Sequence, residues 1–318
     1  MLDLVIIGAS AAGCSAAVYA ARRNLNFLIV SDDIGGEVAL SGEVENWPGV
    51  IHTTGVELAQ NFHDHVKNYN VKIDEGFRVQ EIKQVENYHV VVAKNFSGEE
   101  RTYETKTVII ATGIHPRSLD IPGEKEFKGK GVTYCTVCDG PLFRNKITAT
   151  VGAGNSALES ALMLSTIAQK AYLITKYPDD PSVKGGFPKG ENILVDKVKA
   201  TDNIEIIYNA MTCEILGEGL VNKLCYIDEP SGEKQYIDVN GVMVHIGVIP
   251  NSDFTNCANK NSQKEFEIDL HCRTSCPGVF AAGDVTSIQY KQISIAAGQG
   301  ATAALSAIEY INKWHPKS

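Results

Sequence analysis

The chain has no apolar run near the ~20 residues that a bilayer-spanning helix requires, so a membrane-spanning protein is not expected. It has no excess of positive charge: 29 Lys and Arg stand against 38 Asp and Glu, a formal net charge of -9. A chain of that sign is repelled by nucleic acid and by anionic membrane surfaces, and neither is expected as a partner. No basic leader precedes the first apolar stretch. Met1-Leu2-Asp3 runs straight into Leu4-Val5-Ile6-Ile7, and no secretory signal is expected there. Cysteine is sparse, eight in 318 residues, far below the density of a secreted disulfide scaffold. Only Cys135 and Cys138 have a spacing with clear chemical meaning, which points to a reducing cytoplasm with one special pair.

What is present fits a globular α/β protein. The 44% hydrophobic content supports real cores, and the length allows two domains. Leu4 to Ile7 reads as a buried parallel strand, residues 12–23 as an Ala-rich helix, and Phe27-Leu28-Ile29-Val30 as a second strand. Between the first strand and the helix lies Gly8-Ala9-Ser10-Ala11-Ala12-Gly13. Glycines there allow a tight turn and let the backbone approach a pyrophosphate at the positive end of the helix. Ser10 stands where such fingerprints prefer glycine, and Ser31, Asp32 and Asp33 follow the second strand. Short strands are expected around Val79, Val90-Val91-Val92 and Val108-Ile109-Ile110, the last ending in Ala111-Thr112-Gly113.

The pattern then repeats: Ile147 to Val151, Gly152-Ala153-Gly154-Asn155-Ser156-Ala157, an Ala/Leu-rich helix reaching Ala168, and Ala171-Tyr172-Leu173-Ile174. Linkers are expected at 113–122 and 247–251, and an irregular loop at 177–190. The chain returns to a strand at Val279-Phe280-Ala281-Ala282, closed by Gly283-Asp284, and ends in a helix of about 295–311. The fold class expected is α/β, two Rossmann-like three-layer domains with the second inserted into the first: residues 1–115, 116–246 and 247–318.

Between the fingerprints stands Cys135-Thr136-Val137-Cys138-Asp139-Gly140. Two intervening residues let both sulfurs close one strained, reducible ring, often at a helix start that lowers a thiol pKa. A dithiol beside nucleotide-binding folds suggests electron transfer from a bound cofactor to a disulfide. The alternative is a zinc half-site, but a structural zinc takes four ligands. The nearest second pair, Cys272 and Cys276, has three residues between and no matching histidine. No metal is expected. Cys14 reads as a small buried thiol, and Cys213, Cys225 and Cys257 are isolated in sequence. His63 and His65 point to different faces of a helix. His245 lies in an apolar strand and reads as a satisfied core or cofactor-adjacent histidine, with a proton relay as the sharper alternative.

These residues resemble the low-molecular-weight thioredoxin reductases, a branch of the two-dinucleotide-binding flavoproteins. The resemblance covers essentially the whole chain. It includes both fingerprints, the Cys135/Cys138-Asp139 motif, Gly42-Glu43-Val44-Glu45-Asn46-Trp47-Pro48-Gly49, Ala111-Thr112-Gly113, Gly278 to Asp284, Lys291-Gln292 and Ala296-Ala297-Gly298-Gln299-Gly300. It implies an FAD domain in two pieces around an inserted NAD(P)-type domain that carries the dithiol. Gly8, Ser10, Ala11, Ala12 and Gly13 would hold the pyrophosphate. Asp32, Gly35, Gly36, Glu37, Val38, Asn46, Ala111, Thr112, Gly113, Gly283, Asp284, Lys291, Gln292 and Ile293 would line the rest of the FAD site. Cys138 would face the flavin, Cys135 would attack thioredoxin's disulfide, and Asp139 would donate or accept a proton. The last helix would aim its N-terminus at the flavin. Family members are homodimers, and in many the inserted domain swings.

The chain departs from the family at the adenosine end of the second fingerprint. Gly152, Gly154, Asn155, Ser156 and Ala157 permit a pyrophosphate contact. NADPH-using relatives place a His-Arg-Arg cluster past the next strand. Here Thr175-Lys176-Tyr177 stands there, followed by Pro178-Asp179-Asp180. Lys176 is a point charge without arginine's bidentate fork, and the two acids repel a 2′-phosphate. Thr175 is not the acid that NADH users show. NADPH, NADH, ferredoxin and a reduced deazaflavin all remain open as donors. Thioredoxin is the expected acceptor, with a glutaredoxin-like or peroxiredoxin-linked dithiol carrier as the alternative. A poorly turning-over flavin redox sensor is the reading of a different class.

Overall fold

The computed structural model describes residues 1–41, 43–180, 182 and 190–315; of Glu43 and Cys138 only the backbone is described. The chain forms two compact units, Met1–His115 with Ile249–Ser318, and Pro116–Val248. Most of the expected 177–190 loop lies outside the described residues.

The first unit is built on a seven-stranded sheet. Lys72–Glu75, Phe27–Ser31, Leu2–Ile7 and Glu100–Ile110 lie side by side in parallel. The 11-residue strand Glu100–Ile110 serves two neighbourhoods. Its C-terminal half lies between Leu2–Ile7 and Val279–Ala281, while its N-terminal half joins an antiparallel ribbon with Tyr88–Asn95 and Phe77–Val85. The stretch Leu4 to Ile7 is apolar on both sides because both sheet faces are covered. Alternate side chains go to opposite faces. Leu4 and Ile6 pack with the helices Ala11–Ala21, Gly55–Asn68 and Ile293–Asn312, while Val5 and Ile7 pack with Phe77, Phe266 and Val285. The first and last helices cross on Ala16, Ala17, Ala303 and Ala304, all fully buried, and such small side chains let two helices pack closely.

The second unit has a five-stranded parallel sheet in the order Val132–Thr133, Gly241–His245, Ile147–Gly152, Lys170–Ile174, Ile204–Ile207. Helices Asn155–Ser165 and Asn192–Lys199 accompany it. A three-stranded antiparallel sheet follows, from Ala210–Glu218, Leu220–Asp228 and Glu233–Asp238, which the sequence pattern did not delineate. The expected linkers each contain a short strand, Ile114–Pro116 and Val248–Pro250. Cys213 and Cys225, isolated in sequence, are disulfide-bonded across two of the antiparallel strands. Cys213 occupies a register shift between Thr212 and Glu214, which sets it beside Cys225. Sequence spacing carries no trace of that bulge.

Candidate functional site

In the first unit, Gly8 adopts φ +104°, and a Cβ on Gly13 would lie 1.9 Å from the Gly8 carbonyl oxygen. The turn therefore closes only with glycine at both positions. Ser10 is tolerated where glycine is usual because its backbone is extended, at φ -106°; its hydroxyl donates to Gly35 O at 2.6 Å. Helix Ala11–Ala21 consequently starts with no side-chain cap and no acid in its first turn. Ile293–Asn312 and Asn155–Ser165 share this state. Gly55–Asn68, by contrast, carries a full capping box from Thr54 and Glu57. Uncapped first-turn N–H groups at glycine turns are the fit expected for anionic phosphates.

Other expected FAD residues converge on the same unit. Asn46 Nδ2 donates to Gln292 Oε1 at 3.2 Å. Gly283 N donates to Gln299 Oε1 at 2.8 Å. Thr112 Oγ1 donates to Asn251 O at 2.6 Å, and Asn251 Nδ2 returns a bond to Thr112 O at 2.8 Å. Burial holds the Asp284 carboxyl above its usual range despite the pull of Lys291, and it has no hydrogen-bond partner among the described residues. A desolvated, unpaired carboxylate fits a ligand hydroxyl donor such as the polyol of FAD. Lys291 is otherwise engaged, its Nζ on Glu265 at 2.7 Å and on Thr286 O at 2.6 Å. Asp32 pairs with Arg78 at 3.2 Å, and Asp33 accepts from Gly36 N at 3.1 Å. Gly35 and Gly36 both take positive φ at the start of the short helix that carries Glu37 and Val38. Gly113 also has φ +63°, and its carbonyl accepts from Asn251 N at 3.0 Å.

In the second unit, Thr136–Asp139 forms one helical turn, and Cys135 is disulfide-bonded. The Cys138 side chain lies outside the described residues. Thr133 Oγ1 donates to Asp139 Oδ2 and accepts from Cys135 N at 3.1 Å, so one hydroxyl fixes both the acid and the start of the turn. Thr136 Oγ1 shares hydrogen bonds with Ser160 Oγ at 2.6 Å and with His245 Nε2 at 2.8 Å. Burial pushes His245 down to about 4, so it is neutral at physiological pH. Thr133, Ser160 and the Thr136–His245 contact were not singled out from sequence. Their only signal is the threonine close to Cys135 on either side. Tyr134 OH donates to Glu124 Oε1 at 2.7 Å and packs in the core of this unit.

The second fingerprint keeps its glycine geometry: a Cβ on Gly152 would meet His245 O at 2.2 Å, while the space before Gly154 is open. Asn155 Oδ1 accepts from Glu191 N at 2.8 Å, which brings an acid to this helix start. Ser156 is exposed and Ala157 buried. Lys176 is exposed and lies over the Tyr177 ring at 5.5 Å. Asp179 is neutralised by Lys199 at 2.7 Å. Residues 116–248 contain only two arginines, Arg117 and Arg144, both before the fingerprint. Among the described residues no helix is long and apolar enough to cross a membrane, and no cluster of three or more His, Cys, Asp or Glu is placed to hold a metal.

The family model described as pyridine nucleotide-disulphide oxidoreductase matches residues 2–300. The chain is 39% identical over 310 residues to a Staphylococcus aureus protein named as one of the subunits of alkyl hydroperoxide reductase, covering 97% of this chain and 59% of that protein. It is 36% identical over 310 residues to a Bacillus subtilis protein named NADH dehydrogenase, covering 97% and 58%. The chain thus spans less than two thirds of the length of these relatives. The crystal structure of Lactococcus lactis thioredoxin reductase superposes with a TM-score of 0.81 at 30% identity, covering 99% of this chain and 100% of that one.

Proposed function

Because the chain belongs to the pyridine nucleotide-disulphide oxidoreductase family, whose members are FAD flavoproteins, we propose that it is a cytoplasmic, homodimeric thioredoxin reductase. The observation that carries this reading is Cys135, already in a disulfide at the head of a turn whose acid is fixed by Thr133. Bound FAD supplies a two-electron carrier. The chain's own residues do the rest. Cys135, as thiolate, attacks one sulfur of the acceptor disulfide; that S–S bond breaks and the released thiolate is protonated. Cys138 then attacks Cys135 in the mixed disulfide, re-forming their bond and releasing the acceptor's second thiol. Asp139 moves the proton at this turn. Neutral His245 holds the Thr136 hydroxyl without bringing a second charge to the turn.

For the donor we infer NADH over NADPH. No arginine follows the second fingerprint in this unit, and Lys176 alone cannot form a bidentate grip on a 2′-phosphate. The relative named NADH dehydrogenase agrees with that choice. A second acceptor, a dithiol carrier feeding peroxide reduction, is favoured by the relative named for alkyl hydroperoxide reductase. The test is an anaerobic titration of the holoprotein, following flavin absorbance, with NADH, NADPH, dithionite and a dithiol, then turnover with thioredoxin. Bleaching at near-stoichiometric NADH and at much higher NADPH is expected. Bleaching by the dithiol alone would overturn the donor and send the search to ferredoxin or a reduced deazaflavin. Fast bleaching without thioredoxin turnover would overturn the acceptor.

A further inference from the structure

Cys257 and Cys276 lie 19 positions apart in sequence, yet their side chains interact in the first unit, where Cys276 Sγ donates to Gln84 Oε1 at 3.6 Å. Both are free thiols packed against one apolar cluster. Cys257 is partly exposed, whereas Cys276 is buried. Each sits in the same kind of local turn. Thr255 Oγ1 accepts from Cys257 N at 3.2 Å, and Thr274 Oγ1 accepts from Cys276 N at 3.2 Å. Asn259 N donates to Ser275 Oγ at 2.8 Å, which ties the two turns together. Lys260 Nζ is anchored on Ser252 O and Thr255 O, both at 2.6 Å, and its charge acts on Cys257. Interaction with Cys276, then with Thr255 and the backbone, and the Lys260 charge hold the Cys257 thiol below its ordinary range against the opposing effect of burial; the same interaction and burial push Cys276 up. A partly exposed cysteine beside a buried one is the arrangement of a redox-sensitive thiol and its resolving partner. A cavity of about 270 Å³ is lined by Cys276 together with Thr274, Pro277 and Gly278.

We propose that Cys257 and Cys276 form a second redox-active dithiol, independent of Cys135 and Cys138, whose substrate class is a low-molecular-weight disulfide. The Cys257 thiolate attacks one sulfur of the small disulfide; that S–S bond breaks and one thiolate leaves, taking a proton from solvent. Cys276 then attacks Cys257 in the mixed disulfide, its proton passing to the second departing thiol. The two protein thiols lose two electrons, and the small disulfide gains them as two thiols.

The test uses reduced, desalted holoprotein exposed to oxidised glutathione, with peptide mapping under non-reducing conditions. A Cys257–Cys276 linked peptide is expected from the native chain, and a glutathione adduct held on Cys257 from Cys276→Ser. Limited alkylation of the native chain by iodoacetamide gives a readout that needs no variant. Cys257 should react about tenfold or more faster than buried Cys272, as a thiolate-stabilised, accessible site would. Equal labelling of Cys257 and Cys272, or glutathione held on Cys276 with Cys257 untouched, would overturn the proposal. Mapping separates this pair from any Cys135 peptide, so loss of the thioredoxin reductase reading leaves the result interpretable.

Discussion

Asp139 and His245 approach the same four-residue turn, and a threonine fixes each of them, Thr133 and Thr136. The turn thus has a charged group on one hydroxyl and a neutral ring on another. Replacing Cys135 by Ser removes the attacking sulfur, and disulfide turnover should fall about a thousandfold or more. Flavin bleaching by the donor should remain, which a stopped-flow trace at the flavin band would read. Asp139→Asn keeps the shape and removes the proton acceptor, with an expected loss of about a hundredfold in turnover. Unchanged turnover would remove Asp139 from the mechanism. Cys14 and Cys272, by contrast, are pushed up by burial to about 12 and about 11, and should stay unreactive toward alkylating agents in the folded chain.

At the scale of elements, the contrast is between capped and uncapped helices. Gly55–Asn68 caps its own N-terminus with Thr54 and Glu57, which leaves fewer of its donors for a ligand. Thr54→Ala should cost about 1 kcal/mol of stability, read as a lower urea midpoint, with FAD content unchanged. Ala11–Ala21 leaves its first turn open. Gly13→Ala would force a Cβ onto the Gly8 carbonyl, costing about 1–3 kcal/mol of overpacking and opening the turn. That variant should purify colourless or lose FAD on dilution. Retention of full flavin absorbance would show that the Gly8 turn is not the pyrophosphate cradle.

For the whole molecule, buried neutral histidine makes stability depend on pH. The unfolded chain protonates His245 near 6.5, the folded chain only near about 4. Between those values the unfolded state holds more protons. The stabilisation is therefore complete above pH 6.5 and is lost as pH falls toward 4, by at most about 3 kcal/mol. His89, also lowered by burial, adds in the same direction. Urea midpoints at neutral and mildly acid pH should show a shallower pH slope in His245→Gln than in the native chain; equal slopes would exclude His245 as a source of the dependence.

The sequence by itself determined the periodic and punctuated parts: the strands Leu2–Ile7 and Ile147–Gly152, the glycine turns after them, the final helix and the Cys135 motif. Those features are local, since side-chain periodicity, helix starts and turn backbone are fixed by residues a few positions apart. Only the tertiary structure decided which distant residues meet. It paired Cys213 with Cys225 through a bulge, brought Cys257 onto Cys276, seated His245 against Thr136, and set Lys199 on Asp179. Strand register and the crossing of separate segments place such partners, and neither leaves a mark on sequence spacing.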